Sequence, residues 1–320
     1  MISTSGNSGR DASIESQITV PIPMQIVPRR FGQVLGDALN SLARTWKPLA
    51  STALIVFIPV GVLTFLAFRM TGAIDFLELV FDDPAALNNL PPDVFLEVSQ
   101  PFIRAVAIAV VLQSVATLFV YLAVHHIVAS DMSGRSVSGR AARRYALGRM
   151  AAGFVAALVA LIVIGAIMGL GLAIWLVPFA LVGTPNATSS LLAVVLLLAF
   201  VGPGIWVLIS FSMTTAVIAI EKAGPIQALL RSISLVKGRW WPTLGFLLLV
   251  SLLGSVAIQL IQLVAIPLSV VGDLGSGVSF VSALGIGAQG LIVAAIGAMY
   301  TVWYVDLRAR REELLSEDLR

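Results

Sequence analysis

The only two imidazoles in the chain, His125 and His126, are sequence neighbours. Imidazole is the commonest metal ligand and general base near neutral pH. Adjacent residues on a regular helix point about 100° apart, so this pair cannot converge on one metal ion. A serine nucleophile inside a membrane would need a histidine deep in the bilayer, facing it from another helix. Serines abound (Ser210, Ser212, Ser251, Ser255), but both histidines lie near one end of an apolar stretch. No H-E-x-x-H, phosphate-binding loop or G-x-S-x-G occurs. With no cysteine in the chain, disulfides, thiolate nucleophiles, cysteine-based metal sites and thioether or palmitoyl anchors are excluded. The expectation is no catalytic residue, no metal and no cofactor. Asp75, Glu78 and Asp82 stand at i, i+3 and i+7, one helical face that could offer hard oxygen ligands to a divalent cation. Phe76, Leu79, Val80 and Phe81 interleave with them, and an amphipathic helix with its acids in water is the expected form.

The elements that would position these groups are set by an absence of charge. Residues 48–68, 105–130, 150–220, 240–272 and 274–305 contain no Asp, Glu, Lys or Arg. A charge at the centre of a bilayer costs at least about 2.5–3.5 kcal/mol on insertion scales, whereas a soluble core has no reason to expel charge over such lengths. Charged residues make up 12% of the chain and hydrophobic ones 58%, against about 25% charged in ordinary globular proteins. One crossing of a hydrocarbon layer about 30 Å thick takes about 20 helical residues. The two longest stretches therefore divide, at the turn signals Gly183-Thr184-Pro185-Asn186 and Gly272-Asp273-Leu274-Gly275. The predicted fold is all-α: a polytopic integral membrane protein with six transmembrane helices at about 48–68, 105–129, 150–182, 189–220, 241–271 and 280–305.

Charge asymmetry orients this arrangement. With six crossings, eighteen of the twenty Lys and Arg residues fall on one side, leaving only Arg69 and Arg104 opposite. The positive-inside rule then makes that side cytoplasmic and both termini with it. Residues 1–28 read as a disordered cytoplasmic tail without the apolar core of a signal peptide, 29–305 as the membrane domain, and 306–320 as a charged cytoplasmic tail. The sequence pI of about 9.6 does not point to nucleic acid. The basic residues sit beside membrane segments, where they meet lipid headgroups.

An amphipathic stretch precedes the first helix: Phe31, Val34, Leu35, Ala38, Leu39 and Leu42 share one helical face, and Trp46 and Pro48 are expected to turn the chain into the membrane. The device returns before the fifth helix, with Gly224-Pro225 as start, Ile226, Leu229, Leu230, Ile233 and Val236 as the stripe, and Gly238 as stop. Leu42-Ala43-Arg44-Thr45-Trp46-Lys47-Pro48 matches Leu235-Val236-Lys237-Gly238-Arg239-Trp240-Trp241-Pro242 with one insertion. A weaker copy spans Ser138 to Arg149. The chain thus reads as three repeated units of amphipathic helix plus membrane hairpin. Such helices either lie in the headgroup layer or couple to a soluble partner.

The run from Glu221 to Ser232, followed by Leu235, Gly238 and Trp241, resembles the E-x-x-G-x-x-x-A-L-x-R-S…L-x-x-G-x-x-W loop of bacterial proteins related to the glycerophosphoryl diester phosphodiesterase membrane domain. The opening Gly32-Gln33-Val34-Leu35-Gly36-Asp37-Ala38-Leu39 is similar to that family's first amphipathic helix. The resemblance implies a six-helix protein of the bacterial cytoplasmic (inner) membrane. It carries over neither phosphodiesterase activity, which belongs to a separate barrel domain, nor any catalytic residue.

Within the membrane the polar side chains are neutral. Gln259 and Gln262 share a face and, with Ser212, could bond a neighbouring helix at about 0.6–2 kcal/mol each, or line a polar path. Gly165-x-x-x-Gly169 with Gly171, and Gly285, Gly287 and Gly290, permit close helix approach, and Pro59, Gly202-Pro203-Gly204 and Pro267 are expected to break or kink helices. The leading functional expectation is a non-enzymatic membrane protein that organises lipid or docks a membrane or cytoplasmic protein partner through its basic face. Arg143, Arg144, Arg231 and Lys237 are the candidate contacts to anionic lipid. The alternative is a transporter or channel for a small or lipid-like solute. A mid-membrane cavity lined by Gln259, Gln262 and Ser212 would favour it, and the lack of an intramembrane acid or base weighs against ion coupling.

Overall fold

The computed structural model describes residues 25–26, 28–82, 90–182, 187–271, 274–312, 314–315 and 318. Nine helices are defined among them: α1 (Phe31–Thr71), α2 (Ala73–Asp82), α3 (Pro92–Met132), α4 (Gly139–Val182), α5 (Ala187–Ser210), α6 (Thr214–Ile220), α7 (Pro225–Val236), α8 (Trp240–Val271) and α9 (Leu274–Ala309). Two-residue strands β1 (Gln25–Ile26) and β2 (Leu314–Leu315) pair antiparallel and bring the two chain ends together. Six helical stretches are long and apolar enough to cross a membrane: Phe31–Thr71, Pro92–Met132, Gly139–Val177, Ser190–Ile220, Trp240–Ile261 and Gly285–Ala309. The chain is an all-α multi-pass membrane protein. The expected turn at 183–186, the first two residues of the one expected from Gly272, and nearly all of the expected tail 1–28 lie outside the described residues; from Leu274 onward the second turn is instead part of α9.

Burial sorts the spans. The apolar window of the last span is 67% buried, whereas that of the third is 6% buried and that of the fourth 12%. α9 is therefore the central helix, with α1 and α3 packed on it, while α4 and α5 pair with each other at the periphery. Gly290 permits the close approach of α9 to α1: a Cβ there would fall 2.6 Å from Cγ of Phe57. Between α4 and α5 the tight position is Gly171, where a Cβ would meet Phe200 at 2.5 Å. Gly171 and Gly290 are thus close approaches as expected, whereas Gly165, Gly169 and Gly285 face open space.

Helix boundaries depart from the reading above in one consistent way. The stretch 31–44 is not a separate interfacial helix: α1 runs unbroken for 41 residues, through Trp46, Pro48 and Pro59. At 1.5 Å per residue it is about 60 Å long, twice the hydrocarbon thickness, so its first half stands clear of the hydrocarbon. Its buried residues Val34, Ala38, Ser41, Thr45, Leu49, Ala53 and Phe57 form one seam in constant phase, which holds both halves in a single helix. α3 likewise begins at Pro92, with Pro91 as N-cap, and continues through Pro101 into the stretch expected to start at 105. The weaker copy at 138–149 is the start of α4. The sixth span, expected to end at 305, extends to Ala309.

The break in the fourth span does not come at Gly202-Pro203-Gly204, through which α5 passes, but at 211–213. There the Met213 amide donates to Ser232 Oγ at 3.2 Å, and Ser232 Oγ donates to the Ser210 carbonyl at 2.6 Å. A buried hydroxyl from α7 thus satisfies both sides of the interruption, which is what backbone at such depth requires.

Candidate functional site

The basic residues converge where the chain ends meet. Three helix termini frame a basin there: the N-termini of α1 and α8 and the C-terminus of α9. Helix N-termini offer free N–H groups and a partial positive charge. A cavity of about 630 Å³ is lined by Arg29, Arg30, Arg239 and Arg310 around Phe31, Pro242, Trp303 and Leu307. A second, of about 410 Å³, shares Arg239, Leu307 and Arg310 with it and adds Lys237 and Arg311. Its apolar floor is rigid: Phe246 stacks on Trp303 with centroids 4.7 Å apart, and Phe31 packs edge-on to both.

Two carboxylates answer these six cations. Asp306, 3% exposed, accepts from Arg310 Nε at 2.7 Å and from the Arg29 amide at 2.8 Å, and Arg310 also donates to the Arg29 carbonyl. Asp37 pairs with the Arg29 guanidinium at 2.9 Å. Arg30, Lys237, Arg239 and Arg311 have no carboxylate within 4 Å among the described residues, and Arg311 spends a donor on the Lys237 carbonyl. The loop 237–239 can present two cations because Gly238 takes φ +81°, a conformation that a β-carbon disfavours.

Beside the basin lies a compensated cluster. Arg231 Nε donates to Glu221 at 3.0 Å and its Nη2 to Glu312; Arg308 Nε donates to Glu312 at 3.0 Å, and Tyr304 donates to Glu221 at 2.6 Å. Burial opposes the charge on Arg231, but the bonds to Glu312 and Glu221 more than reverse that, and its pKa is raised above the ordinary arginine value. Burial also pushes Glu312 upward, yet Arg231 and Arg308 outweigh it and hold the carboxyl below its usual range.

Of the four cations singled out from sequence, Lys237 lines the basin and Arg231 does not: its guanidinium is consumed by Glu221 and Glu312. Arg143 and Arg144 line neither cavity. Arg143 is half-buried beside Gly139, with Nη1 enclosed and unbonded, and Arg144 is exposed. The intramembrane trio does not assemble either. Ser212 donates to the Ile209 carbonyl of its own segment at 2.7 Å, and Gln259 is exposed on α8. The Gln262 side chain lies outside the described residues, as do those of Glu78 and Asp82 on the acidic helix α2. Among the described residues no three His, Asp or Glu side chains come together as a metal-binding group.

Sequence reasoning missed Arg29, Arg30, Arg239, Arg310 and Arg311. Arg239 carried a usable signal, two residues from Lys237 across a glycine; the others are joined to it only by the meeting of the chain ends. The histidines stand near the C-terminal end of α3, as expected, but on different faces of it. His125 is fully buried, bonded to Thr301 at 2.8 Å through Nδ1 and to Thr215 at 3.0 Å through Nε2. His126 turns the other way and stacks on Tyr145 at 4.0 Å.

The fold and this basin define a class: an α-helical multi-pass membrane protein with a cationic, aromatic-floored recess at one end of its bundle. No family model matches the chain, and no curated protein or solved structure does either.

Proposed function

We propose that this protein binds anionic phospholipid headgroups in the basin between α1, α8 and α9, and organises lipid at that face without catalysing a reaction. The carrying observation is that four cations without carboxylate partners, Arg30, Lys237, Arg239 and Arg311, line two joined cavities over an aromatic floor. Arginine forks match phosphate oxygens two at a time, and each cation near an anionic surface contributes about 1 kcal/mol. Phe31, 44% exposed, and Trp241, 74% exposed, suit the boundary where headgroups give way to acyl chains. In this proposal the basic end faces the cytoplasm of a bacterium, the membrane is the inner one, and the three hairpin units descend from a repeat related to the glycerophosphoryl diester phosphodiesterase membrane domain.

Native mass spectrometry of the protein released from its own membranes in mild detergent tests this. Retained phosphatidylglycerol or a similar anionic lipid is expected. Arg239→Ala, which removes the carboxylate-free cation shared by both cavities, should weaken retention roughly fivefold to tenfold. Arg143→Ala/Arg144→Ala should leave it within about twofold, because neither residue lines the basin. Bare protein, a co-purified protein subunit in place of lipid, or equal loss in both variants would sink the proposal.

A further inference from the structure

A further recess opens sideways from the bundle and shares no lining residue with the basin. Val110, Gln113, Thr117 and Tyr121 of α3 recur at helical spacing and, with Ser114 and with Thr215 of α6, line a groove of about 450 Å³. The groove runs from Val110 to Tyr121 of α3, about 16 Å, in the middle of the uncharged stretch 105–130. No side chain of Asp, Glu, Lys or Arg lines it. Ser114, Val110, Val111 and Val115 are exposed along its α3 side, so it faces the bilayer rather than a sealed interior.

Its polar groups are poised and unspent. Among the described residues the side chains of Gln113, Ser114, Thr117 and Tyr121 make no hydrogen bond. In hydrocarbon such groups are costly to leave unpaired, and serine or threonine in a membrane helix ordinarily returns its proton to its own backbone. Ser210, Ser212, Ser255 and Thr301 do so here. Thr215 is oriented from behind. Thr301 donates its one proton to the Gly297 carbonyl at 2.8 Å, so it accepts from His125 Nδ1–H; in the neutral ring Nε2 then accepts the Thr215 proton. Thr215 therefore presents only oxygen lone pairs to the groove, beside the donors and acceptors of the Gln113 amide.

We propose that this groove binds the head of a neutral, hydroxyl-bearing lipid of the diacylglycerol kind, its acyl chains remaining in the bilayer through the open side. The ligand's hydroxyl donates to Thr215 Oγ1, and its ester carbonyl accepts from the Gln113 amide or the Thr117 hydroxyl. Neutrality follows from the lining, since a phosphate here would find no counter-charge and lose its hydration. Lipid rather than water-soluble solute follows from the lateral opening.

The test is photolabelling in phosphatidylglycerol nanodiscs with diacylglycerol carrying a diazirine acyl chain, alongside phosphatidic acid bearing the same chain. The diacylglycerol probe is expected to label α3 around residues 110–121 about fivefold more than the phosphatidic acid probe, and Gln113→Leu/Thr117→Val should remove most of that difference. Gln259→Leu, an exposed glutamine on another span, should change nothing, and Arg239→Ala should change nothing either, which separates this site from the basin. The double variant deletes unpaired polar groups, so it should melt no lower than the parent. Equal labelling by the two probes, or labelling indifferent to the double variant, would overturn the proposal. The chain has no cysteine, so Ser114→Cys supplies one reporter; an oxidative dimer through it would show a second copy in the groove and refute lipid occupancy.

Discussion

Residues 42–48 and 235–242 share Leu, Trp and Pro in the same order with a basic residue after the second position, yet they build opposite things. Leu42 to Pro48 lies inside one continuous helix. In Leu235 to Pro242 one helix ends at Val236 and the next starts at Trp240. The inserted residue is Gly238, whose left-handed conformation stops α7 and swings Arg239 and Lys237 toward the recess. Pro48 is absorbed in mid-helix, while Pro242 sits in the first turn of α8, where its missing N–H is unneeded. One residue thus decides whether an amphipathic stretch becomes a stiff extension of a membrane helix or a hinged plate beside it.

The largest effect is expected from making the two alike. A glycine inserted between Arg44 and Thr45 would turn Val34 and Ala38 about 100° out of phase with Leu49 and Ala53, unseating half of the α1 seam. Loss of folded protein in thermal unfolding is the expected outcome. Deleting Gly238 should instead leave a folded bundle with lipid retention cut roughly tenfold, and spin labels on introduced cysteines should report α7 and α8 in line. If insertion is tolerated, the seam does not hold α1 straight.

A smaller effect sharpens why a hinged plate stays in place. Ser232→Ala would leave the Met213 amide and the Ser210 carbonyl unsatisfied in a buried site, costing about 1–3 kcal/mol in unfolding experiments. The α1 extension is tethered through one carboxylate instead: Asp131 of α3 accepts from Ser41 Oγ at 3.0 Å and pairs at 2.8 Å with Arg44, whose side chain is 60% exposed.

The smallest effect concerns pH. Glu312 has a folded pKa below its unfolded one, so its contribution is complete above the ordinary glutamate range and fades as pH falls through the lower folded value. Acid should loosen the β1–β2 clasp before the bundle melts, seen as faster amide exchange at Leu314 and Leu315. Glu312→Gln should show that faster exchange at neutral pH and lose the acid dependence. Exchange that stays slow in the variant would mean the clasp does not rest on this pair.

The six crossings were legible because expelling charge is a one-dimensional property, written residue by residue. Helix ends were not, because an uncharged stretch marks hydrocarbon and not helix. α1 overruns its stretch by 17 residues at Phe31–Lys47, since the seam through Val34, Ala38 and Ser41 continues whatever the solvent outside. The site was legible only where it is local. Lys237 could be chosen from its loop, but Arg231 looked equally free until Glu312, 81 residues away, was seen to bind it. Arg29 and Arg310 meet across 281 residues, and nothing in their neighbours announces that.

That long-range meeting has a consequence for biogenesis. α1 makes its most extensive interface with α9, the ninth of the described helices in chain order, and Arg29 and Asp306 are 277 residues apart. At a synthesis rate of about 5–20 residues per second, the first helix waits roughly 15–55 s in the membrane before its main partner leaves the ribosome. During that interval the Val34–Phe57 face must be covered by something other than α9. Whatever covers it, insertase or lipid, has to be released when α9 enters, which makes the arrival of α9, rather than entry of the first helix, the step that commits the bundle.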